Sequence, residues 1–259
     1  MVAPMEKDGL YIYCIIGSAQ DRNFGPNGIG SRSEVLTIGC NDLCMVVSRH
    51  PLTKLVVSRD NLITHEKVIE TVMKEFDGVL PVRFGTIASN ADEARILLDR
   101  RSREFKNLLR DMDHKVELGV KGRWKDIKAI YKELNHENKD ILRAKEAILS
   151  TRGKKNMTAK IELGKLVEDA LARKKEKEQE GIAEALSGIA FDYKLNKTVG
   201  IEMFMNAAFL VDKGREKEFD NIIEELTDKH KGRITFIYAG PLPVFNFVNV
   251  AIYPEEWEK

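Results

Sequence analysis

Cysteine and histidine are the side chains in this sequence that are best suited to metal binding or nucleophilic chemistry. The chain has three cysteines, Cys14, Cys40 and Cys44, and five histidines that are scattered singly. Cys40 and Cys44 supply only two ligands, whereas a structural zinc site uses four. The sequence therefore predicts no metal site and no cofactor. It predicts that the cysteines are small apolar core residues in a reducing compartment.

Glycine-rich and catalytic motifs do not indicate an enzyme either. Residues 25–30 (GPNGIG) resemble a phosphate-binding loop, but a dinucleotide fingerprint needs a helix directly afterwards, and residues 34–40 are β-rich. A P-loop would need Gly-Lys-Ser/Thr, which is not present in this run. His65 lies on the apolar stripe of a predicted helix, which favours a core histidine over a general base. The sequence predicts a protein that is not an enzyme and has no catalytic residues.

A proline, an arginine and a phenylalanine lie close together in residues 80–86 (LPVRFGT). Pro81 lacks an N–H donor, so we place it at a sheet edge or a strand end. Arg83 lies in an otherwise apolar strand, and a half-buried arginine needs a carboxylate partner, for which Glu117 is the candidate. The alternative is that Arg83 is presented to another chain. Arg83 and Phe84 are therefore candidate partner-binding residues.

The chain ends with an aromatic, proline-containing segment, residues 238–248 (YAGPLPVFNFV). In a strand over residues 245–253, Phe245 and Phe247 share one face, while Tyr238 belongs to the preceding strand. An RNA-recognition sheet displays aromatic rings in this way, but this segment lacks basic residues beside the rings. We favour packing of the rings under a helix, with an RNA-binding ferredoxin-like module as the alternative. Tyr238, Phe245 and Phe247 are also candidate partner-binding residues.

The composition is that of a globular protein with balanced charge. A length of 259 residues suggests two domains, and 43% apolar residues are enough for a core. The 42 basic and 41 acidic residues give a net charge of +1, which argues against bulk attraction to nucleic acid or to an anionic membrane. No stretch approaches the ~20 apolar residues that span a bilayer, and the N-terminus does not resemble a signal peptide. The sequence predicts a soluble, cytoplasmic protein.

Residues 1–113 are predicted to form an α+β domain. Alternating apolar residues predict a strand over residues 9–16, followed by a hairpin around Asn41 and Asp42. Helical spacing of apolar residues predicts helices over residues 59–76 and 91–112. A strand over residues 79–87 is predicted between these two helices.

Residues 114–259 are predicted to form a second α+β domain, which resembles a ferredoxin-like sandwich with a long helical insertion at about 126–190. Within the insertion, residues 173–180 (RKKEKEQE) are nearly all charged. This favours a solvated helix, and the alternative is a docking surface for a charged partner. The predicted elements outside the insertion are strands over residues 115–125, 201–211, 233–239 and 245–253 and a helix over residues 213–230.

Five segments, taken together and in order, resemble the gas vesicle protein F/L family. They are Tyr11-Ile-Tyr13, residues 80–86 (LPVRFGT), residues 116–120 (VELGV), residues 206–211 (NAAFLV) and the terminal pattern Gly-Pro-x-Pro-x-Phe-Asn-Phe-Val. Each segment is weak evidence alone, but the match runs over nearly the whole chain. The chain departs from the family's Thr-Gly-Pro-Trp-Pro-Pro-Tyr pattern at Ala239, Leu242, Val244 and Phe245. These departures remove a hydroxyl, an indole N–H and a phenol.

The resemblance implies a non-enzymatic accessory protein of gas vesicle formation. Such a protein is expected to bind the small, hydrophobic shell protein and other gas vesicle accessory proteins, as a chaperone or a minor vesicle component. A shell subunit exposes apolar surface before it polymerises. A soluble partner that covers this surface lowers the concentration of aggregation-prone subunits. The expected localisation is the cytoplasm and the gas vesicle.

Overall fold

The computed structural model describes residues 8–30, 33–150 and 154–252, which form two compact units. Two sequence predictions concern residues outside this set, namely the N-terminus without a signal peptide and the end of the last strand at Tyr253. The first unit contains residues 8–117, 212–214 and 240–252, and the second contains residues 118–211 and 215–239.

An antiparallel sheet forms the centre of the first unit. Its strands are β1 (Asp8–Gly17), β2 (Val35–Cys40), β3 (Leu43–Pro51), β4 (Val79–Pro81) and β5 (Ile87–Ala88). Their order is β2-β3-β1-β4, and β5 also pairs with β1. The predicted first strand and the hairpin are confirmed. The hairpin turn has the positive φ of Asn41, a residue type that tolerates the left-handed region.

Three helices pack in the first unit: α1 (Arg59–Met73), α2 (Ala91–Arg100) and α3 (Ser102–Asp111). The side chain of Ser58 caps α1 and that of Asn90 caps α2, each accepting a hydrogen bond from a free N–H of the first turn. The single helix predicted over residues 91–112 is therefore two helices. Arg101 leaves the helical conformation between them and binds Glu104 through two nitrogens.

The strand predicted over residues 79–87 was wrong in its middle. β4 ends at Pro81, and the chain turns out of the sheet before β5 returns to pair with β1. Gly85 has a φ of +88°, which a residue with a Cβ rarely adopts, and Thr86 Oγ1 donates to Arg83 O over 2.7 Å. We call residues 82–86 the exposed turn.

A four-stranded sheet with the order β7-β8-β6-β9 organises the second unit. Its strands are β6 (Lys115–Trp124), β7 (Asp192–Leu195), β8 (Met203–Asp212) and β9 (Ile234–Leu242), and the helices are α4 (Ile127–Glu137), α5 (Lys139–Ser150), α6 (Lys154–Ser187) and α7 (Glu216–Lys229). The sequence did not predict β7, because all four of its residues are exposed and show no pattern of burial. The mixture of helices and sheets confirms the α+β class.

The strand predicted from residue 245 was wrong. Val248 N–H and Phe247 N–H both donate to Val244 O, over 2.9 and 3.0 Å, which closes a helical turn. A spacing of four residues fits both one face of a strand and one turn of a helix. The buried pair Val244 and Val248 therefore does not distinguish the two structures in the sequence. Val250 then forms an isolated parallel bridge with Val82.

The C-terminal segment also differs from its predicted place. The sequence assigned residues 114–259 to one domain, whereas residues 240–252 belong to the first unit. The bridge from Val250 to Val82 and the hydrogen bond from Arg101 to Ala251 O, at 2.9 Å, connect the segment to that unit.

Candidate functional site

An apolar groove of about 480 Å³ in the first unit brings together Arg83, Phe84 and Phe245, three of the five candidate partner-binding residues. Its walls come from α1, from β4 with the exposed turn, and from the C-terminal segment. Leu62 and Phe245 expose 43% and 40% of their surfaces, so apolar side chains of the groove face solvent. The lining residues are Leu62, His65, Glu66, Pro81, Arg83, Phe84, Phe245, Val248, Asn249 and Val250.

A chain of buried hydrogen bonds holds the exposed turn in position. The hydroxyl of Tyr11 lies 2.8 Å from His65 Nδ1, and His65 Nε2 lies 3.2 Å from Val82 O. Because a carbonyl can only accept, Nε2 carries the hydrogen and Nδ1 accepts from Tyr11. Gly85 N–H donates to the same Tyr11 oxygen over 3.2 Å. The chain therefore fixes both ends of the turn that presents Arg83 and Phe84.

His65 is an aromatic part of the groove wall. Its ring lies 5.6 Å from that of Phe84 and 6.0 Å from that of Phe245. Burial lowers the pKa of His65 to about 4, so the imidazole is neutral near pH 7. Both ring nitrogens are engaged with the protein, which suits His65 to packing and positioning and leaves neither nitrogen to act as a base.

The groove also carries charge. Burial raises the pKa of Glu66, and repulsion from the carboxylate of Glu70 raises it further. Arg83 is exposed and lines the same groove. The groove therefore offers one acidic and one basic group beside its apolar surface.

A second cleft, of about 380 Å³, also has Arg83 and Phe84 in its wall. Lys54, Leu55 and Val57 line it together with residues of the exposed turn and of the C-terminal segment. Val57 exposes 71% of its surface. The exposed turn thus contributes to two neighbouring apolar depressions of the first unit.

The predicted ion pair between Arg83 and Glu117 was wrong. The exposed turn carries Arg83 out of the sheet and into solvent. Glu117 is buried, with 4% exposure, and it accepts hydrogen bonds from the backbone N–H and the side-chain amide of Asn246, over 2.8 and 2.6 Å. Arg83 is accordingly available to a partner, which was the alternative interpretation of its sequence position.

The other two candidates, Tyr238 and Phe247, do not line the groove. Tyr238 lies in the second unit, where its ring stacks on Phe219 at 5.9 Å. Burial raises the pKa of Tyr238, and a hydrogen bond with Asp220 adds to the shift. Phe247 is half-buried in the first unit. Of the three aromatic candidates in residues 238–248, Phe245 therefore lines the groove and the other two do not.

The charged segment of α6, residues 173–180, is partly folded against the second unit. Lys174 lies 2.9 Å from a carboxylate oxygen of Glu133, and Glu178 lies 2.6 Å from Arg233. A hydrogen bond from Arg233 holds the pKa of Glu133 down to about 2. The prediction of a solvated helix was therefore wrong for one side of this segment, because Lys174 and Glu178, one turn apart, pair with Glu133 of α4 and with Arg233, the residue before β9.

The glycine-rich loop donates its hydrogen bonds within the protein. Asn27 N–H donates to Gly25 O, Gly28 N–H to Ser33 O and Ile29 N–H to the hydroxyl of Tyr13, over 2.9, 2.9 and 2.7 Å. These donors are the groups that a phosphate cradle would present to a ligand. The loop is thus structural, as the sequence predicted.

The cysteines do not cluster around a ligand site. Cys14 and Cys44 are buried and Cys40 is half-buried, all three as free thiols, and burial raises the pKa of Cys14. Within the described residues, no group of three or more His, Cys, Asp or Glu side chains is placed to hold a metal ion. The helices of the described ranges include none that is both long and apolar enough to cross a membrane.

Sequence reasoning missed Leu62, Glu66 and Val250 as groove residues. Leu62 is 43% exposed at the rim of the groove, although its spacing places it on the same face of the helix as His65. Helical spacing places Leu62 and Glu66 beside His65 on α1. The signal available in the sequence was this combination of an apolar and an acidic residue next to a predicted core histidine. Val250 carried no comparable signal, because its bridge to Val82 joins distant parts of the chain.

Comparison with known proteins gives a consistent result over nearly the whole chain. The family described as gas vesicle synthesis protein GvpL/GvpF matches residues 9–249. Gas vesicle protein F of Dolichospermum flosaquae is 27% identical over 244 residues, which cover 93% of this chain and 98% of that protein. Gas vesicle protein F of Haloferax mediterranei is 23% identical over 248 residues, which cover 95% of each chain.

Solved structures agree with these sequence matches. The crystal structure of the gas vesicle protein GvpF from Anabaena sp. PCC7120 superposes with a TM-score of 0.82 at 25% identity, covering 95% of this chain and all of that one. GvpF from Microcystis aeruginosa gives a TM-score of 0.77 at 23% identity, with 92% and 98% covered, and supports the fold.

Proposed function

The chain belongs to the gas vesicle synthesis protein GvpL/GvpF family, and from this premise we propose that it is a non-enzymatic accessory protein of gas vesicle assembly. In this proposal it binds the small hydrophobic shell protein and other accessory proteins, in the cytoplasm and at the growing vesicle. It acts as a chaperone or as a minor vesicle component.

The apolar groove of the first unit is the observation that carries the proposal. A groove with exposed apolar side chains at Leu62 and Phe245 is a surface that a binding partner would cover. Grooves of this kind receive amphipathic helices or extended segments. Arg83 and Phe84 extend the surface to the second cleft, so a partner has apolar contacts on both sides of the exposed turn.

A chaperone role follows from mass action. Any subunit bound in the groove is withdrawn from the free pool that aggregates, and the accessory protein is itself stabilised by binding. The neutral His65, with both nitrogens engaged, supports an aromatic contact surface and gives no support to acid–base chemistry.

We further propose that the second unit is ferredoxin-like, with residues of about 126–190 as a helical insertion. Its strands follow the chain order β6, β7, β8, β9 and lie in the spatial order β7-β8-β6-β9, with α7 between β8 and β9. This is the arrangement expected of a split βαβ sandwich, in which the first strand lies between the third and the fourth. The helices α4 to α6 occupy the first crossover.

Co-purification of the full chain with the shell protein tests the function. Leu62→Asp places a charge in the groove, and we expect it to reduce recovery of the shell protein at least about tenfold. Ile96→Asp is the matched control, because Ile96 is also on a helix of the first unit, is 46% exposed and lies outside the groove. This control is expected to bind like the original chain.

Equal loss of binding in both variants would overturn the groove as the binding surface. No recovery of shell protein with the unaltered chain would overturn the function itself. Binding of RNA that weakens steeply as salt is raised would instead favour the RNA-binding alternative.

A further inference from the structure

Two charged side chains of opposite sign, Glu66 and Arg83, line the apolar groove of the first unit on different walls. Glu66 comes from α1, and Arg83 comes from the exposed turn. In the part of the chain that the structure describes, neither side chain forms a hydrogen bond or an ion pair. The third wall, made by residues 245–250 of the C-terminal segment, carries no ionisable side chain. The groove therefore has an acidic side and a basic side.

Glu66 lacks a cation in surroundings that disfavour its charge. Burial raises the pKa of its carboxyl, and the carboxylate of Glu70, one turn further along α1, raises it further. Glu70 likewise forms no hydrogen bond or ion pair with another described residue. A lysine or arginine brought to this side of the groove would offset both the burial and the repulsion.

A partner that fills the groove removes water from both charges. Burying an ion is costly unless an opposite charge or hydrogen bonds replace the water. A wholly apolar segment would leave Glu66 and Arg83 with neither. A segment with a basic group on one side and an acidic group on the other pairs both charges, so the groove discriminates between the two kinds of segment.

The backbone of the groove wall favours a helix over an added strand as the occupant. A strand that extends a sheet needs a row of free N–H and C=O groups. Along this wall Pro81 has no N–H, and Val82 N–H already donates to Tyr13 O over 2.9 Å. The next N–H, that of Arg83, donates to Val250 O over 3.4 Å. A helix makes its backbone hydrogen bonds internally and needs only the apolar surface and the two charges.

We propose that the groove selects an amphipathic helix that carries a basic residue against Glu66 and an acidic residue against Arg83, with apolar residues between them. This charge pattern rests on the proposed function, because it describes the segment that the same groove receives from its partner. Since the two charges of the groove differ in sign, they also fix the direction in which the helix lies.

Four model peptides test the charge pattern directly on the full chain. Each is about 15 residues long, with leucines at i, i+3, i+4 and i+7 forming one apolar face, and has blocked, uncharged termini. The first peptide carries a lysine at one end of the apolar face and a glutamate at the other. Glutamine replaces the lysine in the second peptide, the glutamate in the third and both in the fourth. Fluorescence anisotropy of the labelled peptides, measured up to about 1 mM protein, gives each dissociation constant.

The variants Glu66→Gln and Arg83→Gln complete two double-mutant cycles with these peptides. With the unaltered chain, we expect either replacement in the peptide to weaken binding roughly fivefold. With Glu66→Gln, loss of the peptide's lysine should weaken binding less than about twofold, while loss of its glutamate keeps its full effect. Arg83→Gln should show the reverse.

Glu75→Gln and Arg103→Gln are the matched controls. Both are exposed charges of the first unit that lie outside the groove. They change the net charge of the protein in the same way as the two test variants, so they reveal any effect of net charge alone. Both controls are expected to keep the full effect of each replacement in the peptide.

Three results would overturn the charge pattern. They are equal binding of all four peptides to the unaltered chain, no binding up to about 1 mM, and peptide effects that persist in Glu66→Gln and Arg83→Gln. If the shell protein co-purifies but the cycles show no coupling, the proposed function stands and the charge pattern is wrong. If the cycles show coupling but no shell protein is recovered, the proposed function is wrong and the groove keeps its preference for such a helix.

Discussion

His65 is a buried side chain that positions part of the protein surface, namely the exposed turn that forms one wall of the groove. It is 3% exposed, yet its two ring nitrogens connect Tyr11 on β1 with the carbonyl of Val82 at the start of the exposed turn. The neutral ring is required, because a protonated Nδ1 could not accept from Tyr11. The shape of the groove wall is therefore linked to the protonation state of His65.

His65 makes the free energy of unfolding depend on pH. Its folded pKa of about 4 lies below the ordinary value of 6.5, so the unfolded chain takes up the proton first as pH falls. The contribution is complete above pH ~6.5 and is lost progressively down to pH ~4, amounting to about 2 kcal/mol between pH 7 and pH 5. His65→Gln, which can still donate and accept, should flatten this part of the dependence. Urea unfolding of both proteins at the two pH values measures it.

The corrected roles of Arg83 and Glu117 give opposite expectations for two alanine variants. Arg83→Ala removes an exposed side chain and should change the free energy of unfolding by less than about 0.5 kcal/mol. Glu117→Ala removes a buried carboxylate that accepts two hydrogen bonds from Asn246, and should cost about 2–3 kcal/mol. Thermal and urea unfolding measure both. A larger loss for Arg83→Ala would reinstate the ion pair predicted from the sequence.

The sequence could identify Arg83 as unusual but could not locate its side chain. Alternation along residues 79–87 assumes an unbroken strand, and the positive φ of Gly85 is what breaks it. A glycine in a strand-like run can continue the strand or start a turn, and the outcome depends on which groups are placed to form hydrogen bonds with the turn. Here these are His65 and Tyr11, which are distant in sequence and adjacent only after folding.

At the scale of elements, α6 combines an exposed side with a charged contact. Glu178 accepts from Trp124 Nε1 over 2.6 Å and from Arg233, which also binds Glu133 on α4. These bonds connect β6, α4 and α6 of the second unit with Arg233, the residue that precedes β9. The segment that is most charged in the sequence is therefore one of the places where this unit is held together.

Two glutamates two residues apart on α6 should respond differently to substitution. Glu178→Ala leaves Trp124 and Arg233 without a shared acceptor and should lower the free energy of unfolding by about 2 kcal/mol. Glu176→Ala, at an exposed position of the same helix, should change it by less than about 0.5 kcal/mol. Guanidinium chloride would screen the contact, so urea unfolding at low salt is the measurement. Equal effects would show that the segment is solvated, as first predicted.

Elements with strong periodicity were predictable, and short or exposed ones were not. The apolar runs of β1 and β3 correspond to strands that are buried on both faces, and the second half of β6 alternates between buried and more exposed residues. The apolar stripe of α1 corresponds to the buried face of that helix. β7 carries no such pattern, since its pairing with β8 relies on backbone hydrogen bonds. The groove was predictable only in part for the same reason. Arg83, Phe84 and Phe245 were marked by residue type, whereas their meeting with Leu62 is set by the fold.

At the scale of the whole molecule, family membership and the groove address different questions. The match over residues 9–249 places the chain among gas vesicle proteins. The exposed apolar groove is a property of this chain's own residues. Family membership therefore identifies the process to which the chain belongs, and the groove supplies the surface at which the proposed partner binding can be tested.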